Sequence, residues 1–298
     1  MRSDEIALWI RNMLYSTYIE MRYHLFSSRM LIAVVILSFS MIAGSYGLSA
    51  LAIQPDATIL PEDLKGMKST FVLYLVSFMV AMFGSLAMLI LSFDAFSRDR
   101  ENGSIEVILS RPVTKRMYAL SKYIGLNLAL AIYLLPLLIS SINIVSEVTG
   151  ENVPTVIMWW YIAITLALFS AISLIQMVIS LMAKNMGSAI MYGLSVWFIY
   201  TIFWLLVSLT LAQYMGLHPS QGQSVEDFTS TMEFSYISNR VDLFNPIGAF
   251  HLCTGILLAP KDEVITVPHL WPYLSLALWN IVLLIIMVEV FNRQERMG

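Results

Sequence analysis

Apolar residues in this chain fall into six long runs, and polar residues gather in the short breaks between them. The runs lie at about residues 30–51, 70–93, 117–145, 155–182, 187–211 and 271–291. None alternates with period two, and each reaches the roughly 20 residues with which a helix crosses about 30 Å of hydrocarbon. Backbone groups in lipid must be satisfied within the segment, so uninterrupted runs of this kind are helices. The pattern predicts an all-α polytopic membrane protein with six transmembrane helices. Pro136 lies inside the third run and should kink it. The turn Lys184-Asn185-Met186-Gly187 separates the fourth run from the fifth.

Residues 4–28 follow a different pattern. Ile6, Trp9, Ile10, Met13, Leu14, Tyr18, Met21 and Leu25 recur at helical spacing, with Arg11, Asn12, Glu20 and Arg22 between them. Aromatic and basic side chains on one amphipathic helix suit the membrane interface. A helix packed on the bundle has the same spacing. Residues 212–270 form a long connection, polar in its first half. Its second half, "LFNPIGAFHLCTGILLAP", is apolar but interrupted by Asn245-Pro246 and Gly255, which predicts one or two short semi-buried helices.

Charge then sets the topology. With the N-terminus inside, all but four of the 17 lysines and arginines fall on inner segments; the exceptions are Lys65, Lys68, Arg240 and Lys261. Both termini are expected in the cytoplasm. Composition agrees with the runs: 58% of residues are hydrophobic, 12% are charged, and the mean hydropathy is +0.75.

No span carries a charge near its middle, which disfavours an ion-coupled carrier. Asp94 and Glu289 lie at span ends, within reach of Arg98 and Arg293. The intramembrane amides singled out are Asn127, Asn143 and Gln176. The chain has no Gly-Lys dipeptide and hence no phosphate loop of its own. One cysteine, Cys253, excludes an internal disulfide, and His24, His218, His251 and His269 fall at no metal-ligand spacing. No bound cofactor, metal site, catalytic residue or nucleic-acid partner is expected, so the chain is read as a non-enzyme.

The most informative polar break is residues 97–115. Gly103 and Ser104 can stop one helix and start another, with Glu106 in the first turn of the new one. Pro112 drives Arg111 out of the helical region, and Thr114 is placed to cap the third span. Between them lie two helical turns with Ile105, Ile108 and Leu109 on one face, suited either to docking in a partner's groove or to packing beneath the bundle.

This segment resembles the coupling-helix region of type-2 ABC exporter permeases. The resemblance rests on Glu101, Gly103, Ser104, Glu106, the apolar Val107, Ile108 and Leu109, the break containing Arg111 and Pro112, and then Lys122 and Gly125. It implies the permease subunit of an ATP-driven ABC transporter in the plasma membrane. Two such chains, identical or related, would dock on separate ABC ATPase subunits that bind ATP and Mg. The helix near 104–110 would couple hydrolysis to export. The uncharged spans favour an apolar or amphipathic substrate. In the family the second span tends to face the partner permease, which makes Ser77, Ala81 and Ser85 dimer-interface candidates; packing within the chain fits their spacing equally. The other readings are an ion-coupled carrier or channel, and a non-transporting scaffold that docks a cytoplasmic partner.

Overall fold

The Ser27 hydroxyl accepts a hydrogen bond from the Met30 N–H (3.2 Å). That cap divides the N-terminal sequence into helix α1 (Ser3–Leu25) and the first span, α2 (Ser28–Ala52). The computed structural model describes residues 3–53, 68–104, 114–220, 223–260 and 265–294. Within α2, Phe39–Ala43 is π-helical. The half of α2 before it packs chiefly on α3 (Lys68–Ser92), and the half after it packs on α5 (Lys115–Thr149) as well. One extra residue in a turn rephases the helix face, which lets a single span serve two neighbours.

Helix α3 and α6 (Thr155–Met182) form the centre of the bundle. In each, 61% of the most apolar window is buried, against 28% for α2 and 22% for α12 (Leu270–Gln294). The outer helices turn stripes such as Leu274, Leu278, Ile281 and Ile285 outward, as lipid-facing surfaces do. Pro136 is accommodated within an uninterrupted α5.

The expected fifth span is broken. Helices α7 (Met186–Thr201) and α8 (Trp204–Tyr214) meet at 52°. The Phe203 N–H reaches back to the Phe198 carbonyl (3.0 Å), which ends the regular ladder. The Tyr200 carbonyl accepts from Asn245 Nδ2 instead (2.8 Å).

The small α4 (Ser97–Glu101) lies between α3 and α5, and α9 (Val225–Thr229), α10 (Met232–Asp242) and α11 (Pro246–Leu258) follow α8. Helix α11 is one of the short helices the interrupted sequence suggested. It is enclosed by α3, α6, α7, α10 and α12, and Ile247, Phe250, Cys253, Thr254 and Leu258 are all buried. Asn245-Pro246 is its start rather than an interruption: Asn245 Oδ1 accepts from the Ile247 N–H (2.9 Å), and Pro246 occupies the first turn. A helix apolar on every side belongs in a core.

Helix α1 lies along α5. It turns Thr17 and His24 inward and leaves Leu14, Tyr15, Tyr18, Ile19 and Tyr23 exposed. The close approach depends on Gly125, where a Cβ would lie 2.6 Å from Glu20 Cβ and 2.9 Å from the Met21 nitrogen. A helix with its polar side inward and its apolar side outward fits a membrane surface rather than water.

Candidate functional site

Helix α4 sits where α3, α5, α6 and α7 converge at one end of the bundle. Phe291, near the end of α12, packs there on Phe96 and Tyr118, so the last turns of α12 share this end. The Ser180 hydroxyl on α6 accepts from the Phe96 and Ser97 N–H groups (3.1 and 3.0 Å), which satisfies orphan donors at the start of α4. Arg100 returns the favour at the other terminus: its guanidinium donates to the Ala183 and Leu181 carbonyls (2.9 and 3.0 Å) at the end of α6. Glu101 accepts from the Met186 N–H at the start of α7 (3.3 Å). The α6–α7 turn is itself closed by the reciprocal Asn185–Ser188 capping box. This five-residue charged helix is thereby fastened to both sides of that turn.

Ion pairs bind the same helix to the opposite side. Lys122 on α5 lies 2.6 Å from Asp99 and 3.6 Å from Glu20 of α1, and Tyr118 donates to Asp99. Asp94, 3% exposed, pairs with Arg29 at the start of α2, and Arg29 also lies over the Phe93 ring. Asp94 therefore does not take Arg98, its sequence neighbour. Arg98 instead donates to the Tyr23 hydroxyl. Glu289 and Arg293 do pair (2.8 Å). A cavity of about 210 Å³ remains among these groups, lined by His24, Asp94, Arg98, Asp99, Ser104 and Lys122. His24 is held neutral there, its pKa pushed down to about 4 chiefly by burial and then by Lys122, Arg29 and Arg98.

The predicted docking residues relate to this hub in two ways. Glu101 holds α7, Gly103 ends α4 in a left-handed conformation (φ 67°), and helical backbone resumes at Ser104. Ile105, Glu106, Ile108, Leu109, Arg111 and Pro112 lie outside the described residues. On the far side, Thr114 caps α5 by accepting from the Met117 N–H (3.2 Å). Lys122 and Gly125, the last positions of the sequence pattern, both help to hold α1 to α5. Arg29, Asp99, Arg100 and Ser180 were not singled out in the sequence; their roles depend on partners more than 60 positions away in three of the four cases.

Within the spans, the small-residue stripe is used inside the chain. Ser77 donates to the Tyr74 carbonyl (2.6 Å) and to Thr254 on α11 (3.3 Å), Ala81 is fully buried, and Ser85 accepts from Trp197 on α7 (2.8 Å). Phe78, Met79 and Met82 carry the exposed side of α3. The intramembrane amides divide: Asn127 is bonded across helices, whereas Gln176 Nε2 is buried with no hydrogen-bond partner among the described residues. Asn127 donates to Ser173 (3.1 Å). Tyr123, Ser170 and Asn280 form a chain from α5 through α6 to α12 (2.6 and 2.5 Å). Asn280 lies in the sixth apolar run and was passed over in the sequence; Asn143 is exposed.

Comparison with curated proteins finds no match. The family described as ABC-2 family transporter protein matches residues 13–296, nearly the whole chain. The chain belongs to that family, whose members are the membrane permease subunits of ABC transporters.

Proposed function

We propose that this chain is the membrane half of an ATP-driven exporter in the plasma membrane, with both termini cytoplasmic and ATP hydrolysed on partner ABC ATPase subunits. Segment 105–113 is the element that docks in the ATPase, through Ile105, Ile108 and Leu109. The observation that carries this reading is the anchoring on either side of it. Ser104 follows a helix fastened to α6 and α7, and Thr114 begins one fastened to α1. Motion received by the segment would therefore pass directly into the spans. The uncharged span centres support an apolar or amphipathic cargo moving along helix surfaces rather than through an ionic channel. A second permease chain, identical or related, completes the transporter, with the exposed Phe78, Met79 and Met82 available to it on α3.

The test is a pulldown of the tagged chain from its native membrane beside Ile105→Asp/Leu109→Asp. Co-purification of an ATPase subunit with the wild type, and its loss from the correctly inserted variant, is the expected result. Absence of an ATPase from both overturns the docking role.

A further inference from the structure

A groove of about 770 Å³ opens between α1 and the start of α2, on the outer side of the ionic hub. Its walls carry Arg22, Arg29 and Arg98 beside Tyr18 and Tyr23, and its lining contains no carboxylate. Asp94, the partner of Arg29, is buried behind it. Arg22 makes no ion pair or hydrogen bond among the described residues. The Ser28 and Arg29 N–H groups stand in the first turn of α2, outside that helix's own ladder.

Phe26, Ser27 and Ser28 form the rim that this groove shares with a second one of about 410 Å³. The second groove is apolar: it runs along Met30, Leu31 and Val34 of α2 to Tyr133 of α5, whose hydroxyl donates to the Leu25 carbonyl (3.1 Å). Phe26, 81% exposed, stands between the two.

A cationic, aromatic-flanked recess that adjoins an apolar slot across a shared rim matches one kind of molecule. Its polar end is an anion with several acceptor oxygens, which guanidinium groups bind as charge-assisted forks. Its other end is a hydrocarbon chain. Recess and slot meet where the first span begins, which is the depth at which lipid headgroups give way to acyl chains. The neutral state of His24 agrees with a positive local field.

We infer that the groove between α1 and α2 is a binding site for an anionic phospholipid of the adjoining leaflet, its phosphate held by Arg22, Arg29 and Arg98 and one acyl chain lying along Met30, Leu31 and Val34. The lipid is a resident that wedges α1 against the first span, and the inference does not depend on the ATPase-docking role of segment 105–113.

Native mass spectrometry of the full chain released from micelles tests this. Phosphatidylglycerol should remain bound in preference to phosphatidylcholine with the same acyl chains. Arg22→Gln, which disturbs no contact in the fold, should lower that retention about fivefold, the effect of one basic group at an anionic surface. Val34→Trp, which fills the slot and leaves the charges intact, should lower it as well. Equal retention of the two lipids, or loss of phosphatidylglycerol to inorganic phosphate as readily as to added lipid, overturns the site. A photo-crosslinking residue at Tyr18 should capture phospholipid in native membranes; capture of a protein partner or a second copy in its place also overturns it.

Discussion

Lys122 and Asp99 meet at 2.6 Å in a setting where the lysine is 8% exposed, and the same ammonium reaches Glu20 at 3.6 Å. One cation thus holds the carboxylates of two helices that would otherwise repel. Removing one member of a buried pair leaves an uncompensated charge and costs about 3–5 kcal/mol.

Lys122→Met should therefore lower thermal stability in detergent by an amount near that range. Lys122→Met/Asp99→Asn should recover part of the loss, because the second change removes the stranded charge. Thermal unfolding followed by size-exclusion chromatography checks both. An additive double variant would mean that the pair is not coupled.

Gly193 on α7 faces the buried Gln176 on α6 so closely that a Cβ would lie 1.7 Å from its Nε2. Gly193→Ala must push the amide aside and should destabilise the protein by about 1–3 kcal/mol. Gln176→Ala in the same chain makes room for the methyl group and should restore part of that loss. The melting temperatures of the two variants decide it.

Two groups outside the spans give opposite responses to pH. His24 has its pKa lowered from 6.5 to about 4, so the unfolded chain binds the extra proton first. Stability from this residue is present above pH 6.5 and falls as pH drops toward 4. Asp242, at the end of α10, has its pKa raised from 3.8 to about 6 by burial. The folded form holds its proton longer, so the Asp242 region is most stable below pH 4 and loses stability as pH rises through 6. His24→Gln should flatten the acid loss, and Asp242→Asn should raise stability at neutral pH, each by on the order of 1–2 kcal/mol. Melting curves between pH 4 and 7.5 for both variants measure the signs independently.

The spans were legible because long apolar runs admit few alternatives in lipid. The caps at Ser27 and Asn185 are local and can be read from neighbouring residues. Helix α4 was not legible: its charged sequence resembles a solvated break, and it is held by Ser180 and the end of α6, over 80 positions away. Arg29 was likewise the nonlocal partner of Asp94, although Arg98 is nearer in sequence. The bend in the fifth span depends on Asn245 reaching the Tyr200 carbonyl, a signal invisible within residues 187–211. For the candidate site the sequence indicated the segment, whereas the fold supplied its mountings.

Those mountings differ at the two ends. The Ser104 side is yoked to α6 and α7 through Arg100 and Glu101, while the Thr114 side continues into α5 and carries α1 with it. A tilt imposed on the intervening residues would therefore act as a couple, turning one set of helices against the other. Asp99, bonded to Lys122 and Tyr118 across the divide, would be a strut loaded at every stroke.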